Sequence, residues 1–70
     1  MSVRVLVNGE PRELGDDATL GTVIETLYDR PGGRGVAVAL DGEVVPRASW
    51  DRTGLSEGAR VEIVVAVQGG

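Results

Sequence analysis

Two short turn signals constrain the fold of this 70-residue chain more than any other feature. Asn8-Gly9 and Asp41-Gly42 are dipeptides that favour type I′ turns, and each lies between two segments of apolar and β-branched residues. The sequence therefore predicts two β-hairpins. Pro11 cannot donate a backbone hydrogen bond, which places the return strand of the first hairpin at a sheet edge. The four predicted strands cover residues 3–7, 10–14, 36–40 and 43–45.

One amphipathic helix is expected between the two hairpins. Thr22 and Glu25 have the spacing of a capping box, and Thr19 is a competing N-cap. The glycine-rich segment 30–35 ends the helix. Four residues are predicted to share its buried stripe: Val23, Ile24, Leu27 and Tyr28.

The final strand, predicted over residues 60–67, is apolar at every second position. On its other face, Arg60 comes first and Val64 and Ala66 follow, so this face becomes apolar towards the end of the strand. A strand that is apolar on both faces is either central in a sheet or half exposed for a partner. Trp50, in the irregular segment 48–54, is expected to cap one end of the core.

The predicted order is ββαββ, an irregular crossover, and a last strand. Two hairpins that flank one helix place that helix across one face of a mixed sheet. The first and last strands are the most uniformly apolar, so we expect them to be parallel central neighbours. This is an α+β fold of the β-grasp (ubiquitin-like) type, with about five strands. Residues 1–66 are expected to form the domain and residues 67–70 a flexible reactive tail.

Composition excludes several kinds of site. The chain has no cysteine and no histidine, which excludes disulfides, the commonest zinc sites and thiol nucleophiles. Its net charge of −4 argues against nucleic acid and favours a basic partner surface. No apolar stretch is long enough to span a membrane, and the first residues do not resemble a signal peptide. We therefore expect a cytoplasmic, monomeric protein that is not an enzyme and binds no metal or cofactor.

The last residues, Val67 and Gln68 followed by Gly69-Gly70, are the candidate reactive segment. A glycine end has no side chain to clash in a narrow tunnel, so it can enter the active site of another enzyme. The Gly70 carboxylate is then the group that undergoes covalent chemistry. The alternative is a frayed end without function, since chain termini are often disordered.

The residues resemble those of the ThiS family, the sulfur carriers of thiamine biosynthesis, over nearly the whole chain. The matching residues are 7–10, Thr22-Val23, 36–47, Trp50, Leu55, Glu57-Gly58, 60–64 and 66–70. The second half is the more distinctive, because the first half would fit many β-grasp domains. Three departures stand out: Asp41 replaces a more usual Asn, Ala59 replaces a commoner Asp, and segment 30–35 is unusually rich in glycine.

The resemblance implies a defined chemistry for Gly70. A partner related to ubiquitin-activating enzymes uses ATP to adenylate its carboxylate, and a protein persulfide then displaces AMP to leave a thiocarboxylate. A thiazole synthase takes up that sulfur. Val64 and Ala66 are predicted to bind both partners, and Arg60 and Arg47 to pair with acidic groups on a partner.

Three alternatives remain open at this point. A β-grasp sulfur carrier can also serve molybdopterin, cysteine or secondary-metabolite synthesis. A ubiquitin-like modifier, which forms isopeptide bonds with target lysines, needs the same tail and the same activation. A plain protein-interaction domain would need no covalent chemistry at its end.

Overall fold

The computed structural model describes residues 1–28 and 34–66, which form a mixed five-stranded sheet with one α-helix on one face. The strand order is β2-β1-β5-β3-β4, so the last strand is central. It runs parallel to β1 and antiparallel to β3. The predicted β-grasp fold and the parallel pairing of the first and last strands are confirmed. The elements are β1 (Ser2–Val7), β2 (Glu10–Gly15), α1 (Leu20–Tyr28), β3 (Val36–Leu40), β4 (Glu43–Val44), a 3₁₀ helix (Arg47–Arg52) and β5 (Arg60–Val65).

Both predicted hairpins are present, and their turn residues explain why. Asn8 and Asp41 each have φ 51°, and the glycines that follow them have φ 82° and 86°. A type I′ turn requires positive φ at both central residues, which Asn, Asp and Gly tolerate best. Asp41 therefore takes the place of Asn without changing the turn. Pro11 lies on β2, which is an edge strand as predicted.

The helix begins earlier than a capping box at Thr22 requires, so that prediction is wrong. The N-cap is Thr19, the competing candidate. Its backbone oxygen accepts the first helical hydrogen bond, from Val23 N at 3.1 Å, and its Oγ1 accepts the Thr22 N–H at 3.3 Å. The Thr22 hydroxyl in turn bonds the Thr19 N–H at 3.3 Å, so the two threonines cap reciprocally.

The core lies between α1 and the inner face of the sheet. Val23 and Ile24 on α1 are buried, and Leu27 and Tyr28 are half-buried, as the predicted stripe requires. Leu20, which the sequence argument did not include, is also fully buried. The sheet contributes alternate residues from its central strands: Val5 and Val7 from β1, Val38 from β3, and Val61 and Ile63 from β5.

Trp50 belongs to the core, as predicted for its capping position. It lies on the 3₁₀ helix, is 4% exposed, and donates its Nε1–H to the Val45 carbonyl at 2.9 Å. The same helix packs against the start of α1, and a Cβ at Gly21 would overlap the Asp51 carboxylate. Glycine at position 21 therefore leaves room for the Asp51 carboxylate beside α1.

The remaining boundaries differ from the predictions by one or two residues. β4 ends at Val44 instead of Val45, and β5 ends at Val65, with Ala66 outside the strand. Ala59, one of the departures from the family pattern, is buried in the core, and its N–H bonds the Ser56 carbonyl at 3.0 Å. Most of the glycine-rich segment 30–35 and all of the predicted tail 67–70 lie outside the described residues.

Residues 1–28 and 34–66 contain neither a membrane-spanning helix nor a cluster of metal ligands. No helix there is long and apolar enough to cross a membrane. No group of three or more acidic, cysteine or histidine side chains there is arranged to hold a metal ion.

Candidate functional site

The face of the sheet opposite α1, here called the outer face, is the candidate functional site. Residues that pair across neighbouring strands point to the same face of a sheet, so the register identifies the residues of the outer face. Val64 pairs with Ala37, and Ala39 pairs with both Glu62 and Val44. No described helix covers this face. From the centre of the sheet outwards, its residues are Arg60, Glu62 and Val64 on β5, Ala37 and Ala39 on β3, Val44 on β4, and Arg4 and Leu6 on β1.

The outer face is divided into a charged half and an apolar half. Arg4 on β1 lies opposite Glu13 on β2, so the β1–β2 half carries ionised side chains. The apolar half lies on β3, β4 and the end of β5. Val64 is 66% exposed and pairs with Ala37, and Val44 is 77% exposed and pairs with Ala39. Large apolar side chains this exposed on one sheet face mark a surface suited to a protein partner.

Three of the four predicted partner-binding residues lie together at the end of β5. Val64, Ala66 and Arg47 line one shallow depression of about 420 Å³. Its floor is completed by residues that the sequence argument did not select, chiefly Ala37 and Gly35. The alternation of valine and alanine in β3 was the available signal, because it places only small side chains beside Val64.

The end of β5 is fixed at this depression by the backbone. The Ala66 N–H donates to the Gly35 carbonyl at 2.7 Å, which extends the pairing with β3 beyond the last strand residue. Gly35 has φ 71°, a left-handed conformation that favours glycine. Ala66, the last described residue, is therefore held at a defined position beside β3.

The fourth predicted residue, Arg60, is separate from the other three. It is on the same face of β5 as Val64 but four residues earlier, which is about 13 Å along a strand. It lines a different depression, of about 520 Å³, together with Leu6 and Glu62. Arg60 and Arg47 thus belong to opposite ends of the outer face.

The two hairpin turns hold β5 through their side chains, a role that the sequence argument missed. Asp41 Oδ1 accepts the Arg60 N–H at 2.9 Å, at the start of the strand. Asn8 Oδ1 accepts the Ile63 N–H at 2.8 Å, and Asn8 Nδ2 donates to the Ile63 carbonyl at 3.1 Å. The same Nδ2 donates to the Tyr28 hydroxyl at 3.0 Å.

The side chains of the outer face belong to a few chemical classes. It consists of apolar, arginine and glutamate side chains, and the whole sequence contains no cysteine or histidine. The residues predicted to carry the chemistry, Gly70 with Gly69, Gln68 and Val67, lie outside the described residues.

Comparison with known proteins identifies the family. A family model described as the ThiS family matches residues 5–70, which is almost the entire chain. The chain belongs to the ThiS family. This membership supports a sulfur carrier of thiamine biosynthesis and agrees with a small carrier protein instead of a catalyst. No curated protein matches the chain significantly in sequence.

Two solved structures from the same bacterium are similar to this ThiS-family chain. The crystal structure of a thiamine biosynthesis protein (ThiS) from Geobacter metallireducens is 29% identical, has a TM-score of 0.70, and is matched over 97% of this chain and 100% of that one. A solution structure of a thiamine biosynthesis protein from Geobacter metallireducens is 27% identical, has a TM-score of 0.73, and is matched over 97% and 88% of the two chains.

Proposed function

We propose that this ThiS-family chain carries sulfur as a thiocarboxylate on Gly70 and donates it to the thiazole ring of thiamine. The supporting observation is a family match that extends to residue 70, together with similar structures of thiamine biosynthesis proteins. The chain is a co-substrate, and its partner enzymes supply catalysis and use ATP.

The proposed chemistry starts from a carboxylate, which is a poor electrophile until it carries a leaving group. A partner of the ubiquitin-activating type would let the Gly70 carboxylate attack the α-phosphorus of ATP, which releases pyrophosphate and forms an acyl adenylate. A persulfide sulfur then attacks the acyl carbon and expels AMP. A thiol cleaves the resulting sulfur–sulfur bond, is itself oxidised to a disulfide, and leaves the thiocarboxylate.

In this proposal the folded domain supplies a docking surface, the outer face, for the partner enzymes. Ordering Gly69 and Gly70 in a partner's active site costs about 1–2 kcal/mol per residue in backbone entropy. A docking surface must offset that cost, and the apolar depression lined by Val64, Ala66 and Arg47 lies where the chain leaves the domain. We propose that both the activating enzyme and the thiazole synthase dock there.

Mass spectrometry tests the covalent step. The protein is incubated with the adenylating enzyme encoded in its own genome, ATP and a sulfur donor. It should gain the mass difference between one sulfur and one oxygen, fragmentation should place the gain on Gly70, and omission of ATP should abolish it. A gain on an internal residue, or an unchanged mass with an active enzyme, would refute the proposed function. Isopeptide adducts on other proteins would instead indicate a modifier.

Transfer to a thiazole synthase distinguishes thiamine from the other sulfur pathways. The loaded protein should deliver its sulfur to the thiazole ring when the synthase from the same genome and its other substrates are present. Deleting Gly70, or Gly70→Ala, should abolish both loading and delivery with little change in melting temperature. Delivery only to a molybdopterin or cysteine synthase would assign the chain to that pathway and contradict the thiamine role.

A further inference from the structure

The pairing between β1 and β5 is short, and among residues 1–28 and 34–66 no strand lies beside the second half of β5 on that side. The parallel register joins only Leu6 to Arg60 and Val7 to Val61. The first hairpin then turns away at Asn8, whereas β5 continues to Val65. Within the described residues, no strand follows β1 along this edge of β5.

Asn8 replaces the missing strand with its side chain. Its backbone N–H makes the last ladder bond, to the Val61 carbonyl at 2.8 Å. Its side-chain amide then pairs with both backbone groups of Ile63, accepting at 2.8 Å and donating at 3.1 Å. A primary amide has the same donor and acceptor as a peptide group, so it extends the β1–β5 ladder by one unit.

The second Nδ2 hydrogen of Asn8 connects this pairing to the helix. It reaches the hydroxyl of Tyr28, the last residue of α1, at 3.0 Å. The amide therefore joins three elements at one point: the first turn, the middle of β5 and the end of α1. Both bonds to Ile63 are partly buried, which protects them from competition with water.

The contacts of the Asn8 amide lie close to the end of the described chain. Ile63 lies three residues before Ala66, where the described chain leaves the domain. On the opposite edge, β5 is held by β3 as far as the bond from Ala66 to Gly35. Without the Asn8 amide, the segment from Ile63 to Ala66 would be held from one edge only and could swing about β3.

We propose that Asn8 is a positioning residue for loading of the chain's end, because its amide fixes the direction in which the chain leaves β5. The proposal rests on the proposed function, since it assumes that the segment after Ala66 must enter a partner's active site. Misplacement of a reacting group by about 1 Å can cost up to about a hundredfold in rate, even when the cause is distant.

Asp41 provides a matched control. It has the same φ of 51°, precedes a glycine in the same type of turn, and also bonds β5 through its side chain. Its partner is Arg60, at the start of the strand and away from the exit. Asn8→Gly and Asp41→Gly both keep the left-handed turn, and each removes only the side chain that holds β5.

The experiment measures pyrophosphate release by the adenylating enzyme with the carrier as varied substrate. It is run at a temperature where circular dichroism shows every variant to be folded. Asn8→Gly should lower kcat about tenfold or more with KM changed less than about threefold, because docking is intact and the exit is displaced. Asp41→Gly should leave kcat within about twofold of wild type. Hydrogen exchange should show a deprotected Ile63 amide in the first variant only.

The outcomes separate this proposal from the proposed function. A wild-type kcat in Asn8→Gly, or an equal loss in both variants, would overturn the positioning role. A wild-type protein that is never adenylated would instead refute the proposed function. If Asn8→Gly does not fold, Asn8→Asp replaces it, because Asp keeps the acceptor for the Ile63 N–H and lacks the donors. A kcat loss in Asn8→Asp that is absent in Asp41→Asn supports the proposal, and equal values refute it.

Discussion

Replacing Val64 with Asp tests whether the outer face is the docking surface. Val64 is 66% exposed in the isolated chain, so about two-thirds of its side chain remains to be buried by a partner. Full burial of a valine contributes about 1.5–3 kcal/mol, so docking should gain about 1–2 kcal/mol from this side chain. Since about 1.4 kcal/mol is a factor of ten, losing that gain alone raises the Kd about five- to thirtyfold.

The introduced carboxylate adds a second cost to binding that it does not add to folding. In the free protein the new side chain faces water, so the stability change should be limited to strand propensity, about 1 kcal/mol. In the complex the carboxylate would be desolvated against an apolar surface, which costs further free energy unless it is paired. We therefore expect the Kd for the adenylating enzyme to rise by more than about thirtyfold.

Calorimetry of the complex and urea unfolding of the free protein measure the two effects separately. Thr26→Asp is the matched control, because Thr26 is exposed on α1 and the substitution adds the same charge away from the outer face. It should bind with nearly wild-type affinity. An unchanged Kd for Val64→Asp, or an equal loss for Thr26→Asp, would show that the partner docks elsewhere.

Three further predictions concern individual contacts. Gly21→Ala forces the exposed Asp51 carboxylate to rotate away from α1, so the substitution should be more favourable in an Asp51→Ala background than in the wild type, with a coupling of about 0.5–1 kcal/mol in urea unfolding; a coupling of zero would show that the carboxylate moves without cost. Trp50→Phe removes the donor to the Val45 carbonyl and should cost about 1–3 kcal/mol in the same assay; no loss would mean that water satisfies this carbonyl. Arg47→Ala should slow association with the adenylating enzyme at low salt, and the difference should vanish at high salt in stopped-flow measurements.

The architecture was predictable because it depends on local signals. Asn8-Gly9 and Asp41-Gly42 specify their turns through conformations that few residues adopt, and strand alternation assigns the inner face. The helix start was less predictable. Two threonines three residues apart both suit an N-cap. The Leu20 N–H donates to the Thr53 carbonyl at 3.1 Å, and Thr53 is far from Leu20 in the sequence. A contact of that range is not visible in a local pattern.

The candidate site was predictable only where it follows strand alternation. Val64 and Ala66 were identified because they share a face and are apolar. Arg47 lines the same depression as Val64 and Ala66, because the 3₁₀ helix returns the chain to the end of β5, whereas Arg60 lines the other depression. Spacing along the sequence could not show which of the two arginines lies beside Val64. The contacts of Asn8 were missed for a similar reason, because its partner Ile63 is 55 residues away.

The two turn side chains show how so small a domain can hold its central strand. In the part of the chain that the structure describes, β5 has no parallel neighbour after Val61, because the first hairpin turns back towards the sheet edge. Unpaired backbone groups in a partly buried strand would each be costly. Asn8 satisfies both groups of Ile63, and Asp41 satisfies the Arg60 N–H, so each turn also completes the ladder of β5. An aspartate at position 8 could accept but not donate, whereas an asparagine at position 41 would still accept. The two positions therefore tolerate Asp and Asn unequally, although both adopt φ 51°.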